Sequence, residues 1–293
     1  MGNVDNVNAI LGEAAAEDGG SGGESASVAK LLRHKHDGLV PLAAAAYWGH
    51  GDVISTLVQG WGADVNGTSN KGSDTALHVA VRKGKPQLVA ILLSLGADPH
   101  IENSAGHNAA EEVKKTGERD RAAVTNQEIS DLLAGAINPA EFLELYNVFR
   151  AAGHGGMEKV RAAFSGDDAL DINAHVCGTT ALRNAIYARD PDMVALLLEL
   201  GAGPNVAGDL INTPLHGAAT VAHPGIITML LEAGADPLAR DNGVLGREGK
   251  TPLERLQQHL RHGVTFPLHG VSDDEAQEAV ALLEAAQTQA GAS

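Results

Sequence analysis

Between Gly178 and Asp236 the apolar positions follow one helical pattern that is written twice. In the first copy Leu182, Ala185 and Ile186 recur at helical spacing, followed after a polar break by Met193, Val194, Leu197 and Leu198. In the second copy Leu215, Ala218 and Ala219 precede Ile226, Ile227, Leu230 and Leu231. The spacing predicts two short helices per copy, a first with small residues on its apolar face and a greasier second. Thr180 and Thr213 stand where an N-cap oxygen is wanted, and Pro214 occupies the first helical position, where its missing N–H costs nothing. Gly201 and Gly234 end the second helix with a residue suited to the left-handed turn. Ala181 and Pro214, like Gly201 and Gly234, are 33 residues apart. One such helix pair leaves an apolar side bare, so a fixed period of this size predicts a stacked array.

The same phase extends in both directions. Residues 1–36 read as a worn capping repeat, with helices over Val4–Glu17 and Ser27–Arg33 around the Gly/Ser-rich DGGSGGES. The next unit carries Pro41, Leu42 and Ala45, then Val53, Ile54, Leu57 and Val58, with one extra residue near Gly60–Trp61. A third has Leu77, His78, Ala80, Leu88, Val89, Leu92 and Leu93, and one additional residue around Ser73–Asp74. Residues 101–150 are irregular: Ala109 keeps the phase, but Glu111, Glu112, Lys114 and Lys115 make its helix polar. Helices are then expected at Asn126–Leu133, at Pro139–Ala152 with Phe142, Leu145, Tyr146 and Phe149 on one core-facing side, and at Met157–Phe164. Residues 241–293 read as a C-terminal capping repeat with an extended finger (DNGVLGREG), a helix restarting at Thr251-Pro252-Leu253, a last helix over Asp273–Gln287 and a short disordered tail.

Thr-Pro-Leu-His at 213–216, Thr-Ala-Leu-His at 75–78, and Gly-Ala-Asp at 62–64, 96–98 and 234–236 resemble the ankyrin repeat. Four units match closely, at about 37–66, 71–100, 178–205 and 209–238, within a repeat region over 37–240. The resemblance implies an all-α fold, an ankyrin-repeat solenoid of stacked helix-turn-helix units with β-hairpin-like finger loops. It also implies a protein-interaction module, an adaptor or scaffold, with no chemistry of its own. His78 and His216 are implied to tie finger to helix. Asn66 and Asn173 stand where such repeats are sometimes hydroxylated, although an Asn there also braces the turn. In this family the finger tips and the last turn of each first helix line a concave binding face. Those positions are Tyr47 and Trp48, Arg82 and Lys83, Tyr187 and Ala188, Thr220 and Val221, and Gln258 and His259. Tyr47, Trp48, Arg82, Lys83, Tyr187, Thr220 and His259 are therefore the expected partner-binding residues, three of them among the nine aromatics of the chain.

Composition narrows the partner. With 37 acidic against 21 basic residues the net charge is -16, which disfavours nucleic acid and anionic membranes and favours a protein partner with a basic surface, bound by a monomer. The single cysteine, Cys177, excludes an internal disulfide framework and is expected to be exposed at a finger tip. No basic start followed by an apolar run opens the chain, so an intracellular setting, cytoplasmic or nuclear, is expected. Met1-Gly2 fits a myristoylation start, but Asn6 stands where Ser or Thr is needed.

Candidate chemistry is sparse. Gly19-Gly20-Ser21-Gly22-Gly23 matches the nucleophile-elbow pattern without the strand that must precede it. His34, His36 and Asp37 lack metal-ligand spacing and fall in a finger. No phosphate-binding glycine loop or paired Cys motif is present. The reading is a binding module with no catalytic residue, metal or cofactor. Its rival is a regulatory or targeting domain of an enzyme complex, or an enzyme with a site within 101–150.

Overall fold

The computed structural model describes residues 2–17, 26–34, 39–69, 73–116, 120–166, 169–208, 212–241, 249–262 and 271–291. The chain divides into two units, Met1–Glu144 and Leu145–Ser293. Among the described residues the secondary structure is helical, with isolated bridges such as Val176 to Thr179 and no strand. The Gly/Ser-rich loop with its Gly19–Gly23 motif, His36, Asp37, most of the extended finger, the turn at 263–270 and the end of the tail lie outside the described residues.

The first unit holds α1 (Gly2–Glu17), α2 (Ala26–Arg33), α3 (Pro41–Trp48), α4 (Gly51–Ser55), α5 (Ala76–Arg82), α6 (Pro86–Ser94), α7 (Ala109–Thr116) and α8 (Asp120–Leu133). Helix starts follow the local chemistry. Thr75 Oγ1 accepts from His78 N, and Thr75 N donates to His78 Nδ1, so cap and third residue satisfy each other. Helices α3, α5 and α7 pack as one row and α4, α6 and α8 as a second. The first row buries Ala43, Ala46, Ala76 and Ala80, the second Ile54, Leu88, Val89 and Ile129. Alanines let the helices of the first row approach closely, while the longer side chains fill the second.

The extra residue near Gly60–Trp61 has a definite structural fate. In three repeats the alanine after the capping glycine reaches back five residues, Ala97 N to Leu92 O, Ala202 N to Leu197 O and Ala235 N to Leu230 O, each at 2.9 Å. Ala63 N instead reaches back six, to Leu57 O, at the same 2.9 Å, and Thr56–Gly60 forms a π turn continuing α4. The insertion is absorbed as one widened turn, and the finger re-enters phase.

The α1–α2 hairpin is arranged differently from the pairs that follow. Its first helix packs on α4 and its second on α3, crossing the two rows instead of extending them. Trp61 Nε1 donates to Asn8 Oδ1 at 2.9 Å and helps to hold α1 there.

The unit boundary falls within α9 (Pro139–Ala152), which has the expected bounds, and Phe142 and Phe149 are both buried. Both make core, as their spacing predicts. The second unit continues with α10 (Met157–Ala163), α11 (Ala181–Tyr187), α12 (Pro191–Glu199), α13 (Pro214–Thr220), α14 (Pro224–Glu232), α15 (Pro252–His262) and α16 (Asp273–Ala290). Here α11, α13 and α15 form one row and α10, α12, α14 and α16 the other. The last helix therefore stays in phase; Ser272 and Glu275 cap it reciprocally, and Gln287 Nε2 donates to Pro237 O and Thr251 Oγ1.

Hydrogen bonds between fingers set the layer spacing. Asn66 Oδ1 accepts from Asp98 N, Asn173 Oδ1 from Gly203 N and Asn205 Oδ1 from Asp236 N, each about one repeat ahead, at 2.8–2.9 Å. His78 Nε2 lies 3.0 Å from His107 O, and His216 Nε2 2.8 Å from Lys250 O. The histidines brace both the next layer and their own helix start, whereas the asparagine side chains brace the next layer and leave the turn itself to Asp64 and Asp171, which accept from Asn66 N and Asn173 N. Two expectations are corrected. Helix α8 begins at Asp120, six residues before the apolar pattern starts. Cys177 is half-buried, not exposed, and lies close enough to Tyr146 that burial first and Cys177 second push the phenol upward.

Candidate protein-binding surface

Helix α3 is only eight residues long and ends at Gly49 (φ 90°). Leu42, Ala43, Ala45 and Ala46 point inward, which leaves Tyr47 and Trp48 in the last turn at 44% and 72% exposure. Their rings meet edge to face, with centroids 5.2 Å apart. Lys83, the C-cap of α5 in the next layer, places Nζ 3.5 Å from the Tyr47 centroid, a cation–π contact. Lys83 and the exposed Lys85 have no acidic partner among the described residues. The patch is thus aromatic and locally cationic on a chain of net charge -16.

Arg82, expected to be free for a partner, is tied into the fold. Its Nη2 donates to Asp74 Oδ2 at 2.8 Å and its Nε to Glu112 Oε2 at 3.3 Å. Both carboxylates are buried, and Asn103 Nδ2 donates to each of them. Burial alone would lower the Arg82 pKa, but Asp74 and then Glu112 outweigh it and hold the guanidinium above its ordinary value. The polarity of α7 that marks this repeat as irregular is therefore partly a buried ion network.

In the second unit Tyr187 is 43% exposed, with the Arg183 guanidinium carbon 5.5 Å from its ring centroid. Thr220, expected to be free, is half-buried, and its hydroxyl donates to His216 O at 2.8 Å within α13. His259 is half-buried too; its Nδ1 has no hydrogen-bond partner among the described residues, and burial, then Arg255 and Lys250, push its pKa down. Arg189, between α11 and α12 at φ 55°, donates to Val221 O and pairs with Glu275 of α16. Sequence periodicity missed Arg183 as the cation over Tyr187, and Ile10 and Leu31 as exposed apolar side chains of the N-terminal hairpin.

A family model for ankyrin repeats, in a three-copy form, matches residues 8–103 and 148–241, well over half of the chain. The chain belongs to the ankyrin-repeat family. Ankyrin repeats are a general protein-interaction module. This ankyrin-repeat chain is 36% identical over 83 residues to BRCA1-associated RING domain protein 1 of Caenorhabditis elegans, covering 28% of the chain and 12% of that protein. It is 37% identical over 82 residues to the nuclear factor NF-kappa-B p105 subunit of Gallus gallus, covering 25% of the chain and 8% of that protein. The chain thus spans only about a tenth of the length of these curated relatives. The human ASB11 ankyrin repeat domain, a solved structure, is 23% identical and covers 76% of this chain and 97% of its own, with a TM-score of 0.33.

Among the described residues no group of three or more His, Cys, Asp or Glu side chains is placed to hold a metal, and no helix is long and apolar enough to cross a membrane. In the irregular region Glu111 caps α7 reciprocally with Asn108, and Glu112 is held in the Arg82 network. Both of these carboxylates thus have partners within the fold.

Proposed function

We propose that this ankyrin-repeat protein is a non-catalytic adaptor or scaffold. Tyr47, Trp48 and Lys83 offer a protein partner one surface on the first unit, and Tyr187 offers a separate one on the second. The observation that carries this reading is Trp48: a rigid helix presents it at 72% exposure, although burial of large apolar rings is what folding favours. A preorganised ring loses little entropy on binding. Arg82, through Asp74 and Glu112, and Thr220, through His216 O, are engaged within the fold. The expected basic partner rested on whole-chain charge, whereas charge within a Debye length of about 8–10 Å governs a contact, and at this patch Lys83 and Lys85 have no acidic partner among the described residues. The large net charge supports a monomer, and the lone cysteine an intracellular setting.

Proximity labelling and affinity capture in cells, comparing the wild type with Tyr47→Ala/Trp48→Ala, test the proposal. Loss of specific partners from a variant that still melts cooperatively is the expected result. Unchanged capture by a folded variant refutes it.

A further inference from the structure

Because α1 and α2 cross the helical rows, a groove of about 510 Å³ remains between them and the α3–α4 pair. Its walls include Val7, Ile10, Leu31, Leu32, Pro41 and Trp48. Ile10 is 59% and Leu31 37% exposed, so the apolar lining opens to water, and the volume is within the roughly 300–1,000 Å³ of ordinary ligand sites. Trp48 belongs both to this groove and to the Tyr47–Lys83 cluster, which makes the two surfaces continuous.

We propose that the groove takes an amphipathic helical segment of a protein partner, its apolar stripe against Ile10, Leu31 and Trp48 and its carboxylates towards Lys83. This rests on the reading that Trp48 faces a partner. Charge selects the occupant. Lys83, with no acidic partner among the described residues, stands at the Trp48 end and Lys30 and Arg33 are exposed on α2, whereas the exposed acids Asp5 and Glu13 stand on α1 and Asp52 at the start of α4. A segment is thereby oriented, with acids on the lysine side. A second copy of this chain brings another -16 charges and is disfavoured, as is an anionic membrane.

The test uses the full chain and labelled amphipathic helical peptides that share one leucine stripe but carry Glu, Gln or Lys on the flank, read by fluorescence anisotropy. The Glu-flanked peptide binds most tightly. Ile10→Asp weakens it by roughly tenfold or more, and Lys83→Glu shifts the preference towards the Lys-flanked peptide. Both side chains are exposed, and Leu31→Ser serves as a second groove variant if Ile10→Asp melts early. Equal affinity for all three peptides, preference of the wild type for the Lys flank, or indifference to both groove variants overturns the proposal. If peptide binding fails while Tyr47→Ala/Trp48→Ala still loses its captured partners, the groove assignment falls and the adaptor reading stands. Failure of both results removes both.

Discussion

Replacing Arg82 by alanine separates the two roles that a residue on the proposed binding face can have. The guanidinium contacts Asp74 and Glu112, whose side chains are only 13% and 8% exposed. Removing one partner of a buried ion pair costs about 3–5 kcal/mol, because the remaining charge is left uncompensated. Two features lower that figure here. The Arg82 side chain is 44% exposed, so water enters the space it vacates, and Asn103 keeps one hydrogen bond to each carboxylate. A loss of roughly 2 kcal/mol is therefore expected, which moves a urea midpoint down by about 1 M. Arg82→Met with Asp74→Asn and Glu112→Gln removes the uncompensated charge and recovers most of the loss. Urea unfolding followed by circular dichroism reads both variants. If Arg82→Ala unfolds like the wild type but loses its partner, Arg82 is a contact residue, and the supporting role assigned to it fails.

Other perturbations reach different parts of the fold. Trp48→Ala should leave the unfolding midpoint close to that of the wild type, since the ring is mostly in water; a large drop in melting temperature would make Trp48 core. Burial holds the pKa of His216, His223 and His259 below the ordinary 6.5, so the unfolded chain protonates first. Their contribution is complete above about pH 6.5 and is lost as pH falls from there through the lowered folded values. Thermal melts at pH 7.5 and 5.5 should show this, with a shallower dependence in His259→Gln; a melting temperature that does not fall on acidification contradicts it. Deleting Gln59, exposed in the π turn, should restore the five-residue return seen at Ala97 and leave stability equal or higher, whereas a cooperative unfolding unit lost at residues 41–66 would count against the insertion account. Arg189 sits at φ 55°, where glycine is favoured by about 1 kcal/mol over other residues. Arg189→Gly should thus destabilise less than Arg189→Ala, while both speed amide exchange in α16 through loss of the Glu275 contact.

Much of the fold is legible without coordinates because it is local and repeated. Thr180 and Thr213 predict helix starts, Gly201 and Gly234 predict ends, and the alternation of small and large apolar residues predicts which row each helix joins. The exposure of Tyr47, Trp48 and Tyr187 follows from the same phase, since the repeat leaves the last turn of its first helix without a packing duty. Arg82, Thr220 and His259 occupy the same repeat positions, but what they touch depends on residues about a repeat away or on their own helix. Asp74 and Glu112, 38 residues apart, converge on Arg82 only when two layers stack.

By itself, then, the sequence determined the repeat, its phase, its caps and the single inserted residue before Gly62, because each of these is set by backbone preferences over a few residues. Only the tertiary structure decided that the insertion becomes a π turn, that the α1–α2 hairpin crosses the rows and leaves a groove, and which charged side chains are already paired. Those outcomes depend on which surfaces meet across layers, and a one-dimensional period does not carry that information.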